Sequence, residues 1–225
     1  MILSGNQPCY LPSIRLFNRM AHSDIYMHCP KLQFVKKSYH HHNFIKGARL
    51  FIPTKSNLGD TILDTQISGV HWIKKHLKAI THAYGSSKYF AHYYPLLYHV
   101  YSEREWSSLA LLNMRLIELL AFWLDIETKI IDGSQYHFFG DATNKNIQMC
   151  QTIGADTYLQ SETAKEYQDS ERMAAAGIKE MWQQFTLPAY GQDRKTNNGE
   201  LSALDVLFLR GPEAKQLVYD SWRPE

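Results

Sequence analysis

The sequence predicts an α/β fold: a central sheet with helices on both faces and a mainly helical insert around residues 71–125. Three observations carry this. A short apolar run, Met1 to Leu3, leads through a proline-braced loop into an amphipathic stretch ending near Met20 and then the strand-like Ile25-Tyr26-Met27. Residues 126–210 alternate short apolar runs with helical patterns, as in a layered α/β sheet. Between the two, residues 71–125 place apolar side chains at helical spacing.

The elements follow in order. After the first helix, Ile25 to Met27, Leu32 to Phe34, Leu50 to Ile52 and Ile62 to Ile67 read as short strands, separated by the turn signals Pro30, Gly47, Pro53 and Gly59-Asp60. Trp72, His76, Ile80 and Tyr84, four residues apart, make one helical stripe, widened by Ile73 and Leu77 and stopped at Gly85-Ser86-Ser87. Tyr89 to Tyr101 predicts a second helix, broken near Pro95. Leu109, Leu112, Leu116, Leu119, Leu120 and Trp123 predict a third, capped by Ser102 or Ser107. Thr128 to Ile131 is strand-like. Thr143 to Ile153 is a helix ended by Gly154, Thr157 to Leu159 a strand, Thr163 to Ala176 a helix ended by Gly177, and Lys179 to Phe185 a strand. Asp193 to Gly199 is a polar loop. Ser202, with Asp205 three residues on, opens a helix to Leu209 in a capping-box arrangement, and Glu213 to Trp222 forms the last.

Composition narrows the function classes. The 225 residues, 44% hydrophobic and 20% charged, suit a single globular domain, 1–225, with a real core. A net charge of +2 is too mild to argue for DNA or RNA. Three cysteines, Cys9, Cys29 and Cys150, at no metal spacing, do not make a disulfide framework. Met1-Ile2-Leu3 gives way at once to polar residues, unlike a signal peptide, and Leu109 to Leu124, the most apolar stretch, is interrupted by Arg115 and Glu118, so no membrane span and a cytoplasmic location are expected.

The loop Gly5-Asn6-Gln7-Pro8-Cys9-Tyr10-Leu11-Pro12 follows the first strand. At that position it sits on the carboxyl edge of the sheet, where α/β proteins bind ligands. Its amides and phenol, Asn6, Gln7 and Tyr10, can line a polar pocket on a stiff backbone, or simply satisfy the loop's own hydrogen bonds. Cys9 invites a nucleophile reading, while Cys29 and Cys150 read as small buried hydrophobes. In an extended strand His40 and His42 would share a face and could ligate a metal, but no third ligand stands at a clean spacing, so none is assigned. Lys36 and Lys37 beside these histidines form a basic patch, either a phosphate clamp or a solvated edge that deters strand pairing. His76, one turn after Trp72 and next to Lys75, is either a general base or a buried, hydrogen-bonded core histidine.

The order Asn6-Gln7-Pro8-x-Tyr10-x-Pro12, Ser23-Asp24, Leu32-Gln33-Phe34-x-Lys36 and Asn43-x-Ile45-Lys46 resembles the WbqC-like protein family. So does the second half: Trp72 to Leu77, Tyr89-Phe90, Gly154 to Leu159, Ala164-Lys165-x-Tyr167, Gly177-Ile178, Pro188-x-Tyr190-x-Gln192 and Leu201-Ser202-x-Leu204-Asp205. That family is tied to gene clusters for surface polysaccharide of the O-antigen type. It has been proposed to attach glycine or a similar amino-acid group to an amino sugar. The resemblance implies a transferase that joins an aminoacyl or acyl group to the amine of a nucleotide-linked or lipid-linked amino sugar. On that basis His76 is the candidate base, and Asn6 and Gln7 are oxyanion or ligand donors. Lys36 or Lys165 is the diphosphate clamp. Substrate contacts fall to Tyr10, Asp24, Gln33, His42, Asn43, Lys75, Tyr167, Ser202 and Asp205. No cofactor is assigned.

Two departures matter. The family usually has His where this chain has Asn6, and an amide does not titrate. Proton transfer then falls to another residue, with His76 or His28 as candidates, or the protein binds without turnover. Gln160, Ser161 and Glu162 replace the family's Ser, Gly and small residue, and the Glu162 charge counts against an anion at that turn. The alternative to a transferase is therefore a non-catalytic nucleotide-sugar or metabolite-binding protein. A third reading takes an aminoacyl-tRNA as donor and predicts salt-sensitive RNA binding.

Overall fold

The computed structural model describes residues 1–222. In chain order the elements are β1 (Ile2–Asn6), α1 (Ile14–Ala21), β2 (Ile25–His28), β3 (His42–Ile45), β4 (Ala48–Phe51), β5 (Thr54–Lys55) and β6 (Gln66–Ile67). Then come α2 (His71–Tyr84), α3 (Phe90–Ser102), α4 (Leu109–Trp123), β7 (Lys129–Asp132), α5 (Ala142–Ile153), β8 (Thr157–Ser161), α6 (Ser170–Ala175), β9 (Lys179–Gln183), α7 (Ala203–Arg210) and α8 (Glu213–Asp220). Five parallel strands form the central sheet in the order β7-β2-β1-β8-β9. The fold is α/β.

Alternation along the strands sorts the two faces. Leu3, Met27 and Tyr158 point to one face, where Met149 and Cys150 of α5 and Met173 of α6 cover them. Tyr26 and Ile130 point to the other, against Phe17 and Met20 of α1 and the large core built by α2, α3, α4, α7 and α8. The helices of residues 71–125 thus join the core of one face. Trp72, His76, Ile80 and Tyr84 are the buried residues of α2, the stripe that the spacing predicts. Gly154 ends α5 in the left-handed conformation, φ 78°, where an L side chain is strained.

Several expectations need correction. Leu32 to Phe34 is not a strand; Gln33 makes a single bridge to Thr61. Only His42 of the histidine run lies in a strand, so His40 and His42 do not share a strand face. Helix α3 runs unbroken through Pro95: the carbonyl that loses its donor belongs to Ala91, and both residues are exposed, so water can take the donor's place. Ser108, not Ser102 or Ser107, caps α4, its hydroxyl accepting from the Leu111 N–H at 3.4 Å. The stretch 163–176 splits into a 3-10 turn, Glu162–Glu166, and α6, because Asp169 accepts from the Arg172 N–H and starts a new helix. Ser202 does cap α7, but Asp205 does not reach back to it: its carboxylate accepts from the Tyr84 hydroxyl at 2.6 Å.

Candidate functional site

In this sheet the chain moves outward from β1 through β2 to β7, then crosses to β8 and continues to β9. The strand order therefore reverses between β1 and β8. The connections leaving the carboxyl ends of these two strands go to opposite faces, to α1 and to α6, and open a crevice between them. Asn6 ends β1 and Ser161 ends β8.

The crevice has two arms. The first, about 530 Å³, lies over α1 and is bordered by Cys9, Arg15, Tyr39, Glu162, Thr163 and Glu200. The second, about 310 Å³, opens towards α5 and is bordered by Gly5, Gln7, Lys31, Tyr136, Phe138, Lys145, Tyr158 and Tyr167. Asn6, Arg19 and Ser161 line both. A third, more open groove of about 920 Å³ between α2 and α3 is bordered by none of the predicted site residues and lies away from the sheet edge.

The loop that carries Asn6 and Gln7 is fastened from three sides. Asn43 donates to the carbonyls of Tyr10 and Leu11, at 3.1 and 2.8 Å. Asn113 of α4 donates to the Pro8 carbonyl at 2.9 Å and the His40 carbonyl at 2.7 Å. The Tyr10 N–H donates to the Tyr39 carbonyl at 3.0 Å. These bonds hold Leu11 at φ 42°, an uncommon value for a leucine. Gln7 bridges the Gln33 carbonyl and His40 Nε2, at 3.1 and 3.2 Å. The Asn6 carboxamide has no partner among the described residues and is left to face the crevice.

Of the predicted site residues, Asn6, Gln7, Asn43 and Tyr167 line the crevice. The others lie elsewhere. His76 is 5% exposed; its Nδ1 meets the Tyr10 hydroxyl at 2.8 Å, its Nε2 stands 3.1 Å from the Phe51 backbone, and burial pushes its pKa down to about 4. Tyr10, fully buried, also bonds the Tyr101 hydroxyl, so both residues belong to the core beneath α2. Asp24 stands at the amino edge of the sheet, where its carboxylate accepts from the Ile2 N–H at 2.7 Å. Gln33, Lys36 and Lys75 are exposed outside both arms. His42 packs among Tyr39, His41 and Phe44, with a pKa lowered by burial to about 4. Lys165 sits beside the first arm, 3.5 Å from Glu162 and over the Trp182 ring. Ser202 and Asp205 are buried structural groups of α7.

The structure also answers two open readings. Burial raises the Cys9 thiol to about 12, more than the Arg19 charge lowers it, so the thiol stays protonated near neutrality and is a poor nucleophile. His28, the partner of Asn6 in the β1–β2 register, is fully buried and its pKa falls to about 4 by desolvation.

Arg19 is the residue that sequence reasoning missed. It lies on α1, is 7% exposed, and its Nε has no partner among the described residues. The carboxylates of the crevice are engaged elsewhere: Glu200 accepts from Arg15 at 2.8 and 3.0 Å and from Ser13 at 3.1 Å, and Glu162 pairs with Lys165. A signal was available, since Arg19 stands three residues after Leu16 and next to Met20, inside the apolar pattern of a short helix.

Fold and crevice define a parallel α/β protein whose candidate ligand site is a two-armed cleft at the point where the strand order reverses. The chain belongs to the WbqC-like protein family, which it matches over residues 7–217. It is also 27% identical, over 92% of its own length and 93% of the other's, to the uncharacterized protein Rv1507c of Mycobacterium tuberculosis strain ATCC 25618 / H37Rv. No solved structure matches it.

Proposed function

We propose that the protein is a transferase of surface-polysaccharide biosynthesis that joins an aminoacyl or acyl group to the amine of an amino sugar. The observation that carries this reading is the meeting of two arms at Asn6, Arg19 and Ser161, which lets two substrates approach one point. Family membership supplies the polysaccharide context. In the reaction the sugar nitrogen attacks the acyl carbon, the N–C bond forms, and the bond from that carbon to its leaving group breaks. The amine proton needs an acceptor. His76 is enclosed in the core, so we assign that role to Glu162, an exposed carboxylate lining the first arm. The Asn6 and Gln7 carboxamides and the Ser161 hydroxyl are the hydrogen-bond donors for the tetrahedral oxyanion.

The test is mass spectrometry of purified protein incubated with UDP-, GDP- and dTDP-linked amino sugars and activated acyl or aminoacyl donors. We expect one sugar to gain the mass of the acyl group, and Glu162→Gln to slow this by about a hundredfold with little change in binding. Asn6 in place of the family's histidine favours a second reading, a binding protein without turnover. Tight sugar binding with no product under any donor would decide for it.

A further inference from the structure

The two arms differ in charge. Among the described residues, the second arm is bordered by three cations, Arg19, Lys31 and Lys145, and by no aspartate or glutamate. The first balances Arg15 and Arg19 against Glu162 and Glu200. Arg19 stands at the junction, 93% buried, and among the described residues it has no carboxylate partner and its Nε has no hydrogen-bond partner. Burying a guanidinium without compensation is costly. The Tyr26 hydroxyl, close enough to feel its charge, is likewise buried without a partner among the described residues. Gly5 keeps the floor of the second arm open: a Cβ there would stand 3.2 Å from Cys29 Sγ and 3.5 Å from the Tyr158 hydroxyl. Beyond the cations, Tyr136 and Phe138 are stacked, ring centroids 5.8 Å apart, with Tyr167 on the same arm.

The geometry points to a nucleoside diphosphate site in the second arm, with Arg19 seating the phosphoryl group nearest the junction and the Tyr136–Phe138 wall taking the base. Lys31 Nζ donates to the Tyr136 carbonyl at 3.2 Å and stands 2.9 Å from His137 Nε2, and Lys145 lies near Asp141, so Arg19 is the least compensated of the three. Three cations on one arm match a diphosphate better than a single carboxylate, and the guanidinium fork suits phosphate oxygens. An aromatic wall accepts any base through its π-face. The sugar of a nucleotide-linked substrate would then stand at the junction beside Asn6 and Ser161, its amine turned towards Glu162, and the rest of the first arm would take the acyl donor. This assignment moves the diphosphate clamp from Lys36 or Lys165 to Arg19. It rests on the transferase reading for the sugar but not for the nucleotide.

Isothermal titration of the full chain with UDP, GDP, dTDP and ADP, beside inorganic pyrophosphate and the bare nucleosides, tests it. We expect at least one nucleoside diphosphate to bind more tightly than pyrophosphate. Arg19→Met should weaken that Kd at least tenfold while keeping or raising the melting temperature of the free protein, because an uncompensated buried charge is removed. Lys145→Ala should weaken it several-fold. Pyrophosphate binding with no gain from any nucleoside would overturn the nucleotide assignment. So would unchanged affinity in Arg19→Met and Lys145→Ala, or an Arg19→Met protein that fails to fold, since Arg19 would then be structural. If phosphate-free amino sugars are bound and acylated while no nucleotide binds, this inference fails and the transferase reading stands.

Discussion

At the scale of the residue, environment decides what a titratable side chain can do. His76 carries an imidazole on an α2 face that also holds Trp72, and either a base or a core histidine fits that pattern. Its surroundings choose the second, because Tyr10 and the Phe51 backbone occupy both ring nitrogens. Replacing it by Gln should remove a buried hydrogen bond and cost about 1–3 kcal/mol. Urea unfolding measures that loss. Ligand affinity in the crevice should stay within about twofold, and a selective loss of binding or turnover without a loss of stability would return His76 to the site. Arg19 is the converse case. As one arginine in a short helix it attracts no notice, and it becomes informative only once Glu200 is seen to belong to Arg15 and Glu162 to Lys165.

At the scale of the element, local chemistry is stronger where a single residue closes a helix. Gly154 ends α5 at φ 78°, and a Cβ built there would meet nothing within 4 Å. The cost of Gly154→Ala is therefore backbone strain without a clash. We expect about 1 kcal/mol of destabilisation, read as a lower urea midpoint with an unchanged slope. Where two signals compete, the sequence pattern is less decisive. Residues 163–176 have helical composition, yet Asp169 caps a new helix in their midst and the Thr143 hydroxyl accepts from the Asp169 N–H at 3.0 Å, so the segment turns instead of continuing. Pro95 errs the other way: an exposed proline costs α3 one internal bond but not its continuity.

At the scale of the whole molecule, packing imposes a shared titration. His28 of β2, His42 of β3, His76 of α2 and His40 of the turn before β3 all have pKa values lowered by burial to about 4. A group whose folded pKa lies below its unfolded value of about 6.5 contributes stability above that value. The contribution is lost as pH falls from about 6.5 towards 4 and levels off below. The melting temperature should thus begin to decline about two pH units above the range of ordinary carboxylates, which lies near 4. A combined His28→Asn, His42→Asn variant should show a shallower decline between pH 6.5 and 4.5 in a thermal-melt series. An equally steep decline in that variant would show that these imidazoles are not the source.

The order of the five central strands and of the longer helices, the buried stripe of α2, the end of α5 at Gly154 and the loop that delivers Asn6 and Gln7 were legible in the sequence by itself. Each depends on residues within a few positions of one another, where periodicity and φ preference act directly. The ordered motifs were legible too, and they carry the family. The tertiary structure alone decided which loops face one another. Only the reversal of strand order between β1 and β8 makes neighbours of Asn6 and Ser161, and only contacts such as Arg15 to Glu200, 185 residues apart, leave Arg19 without a carboxylate partner among the described residues. A sequence pattern says which face of an element is buried. What that face is buried against, and which charge is left over, depends on groups brought together from the whole chain.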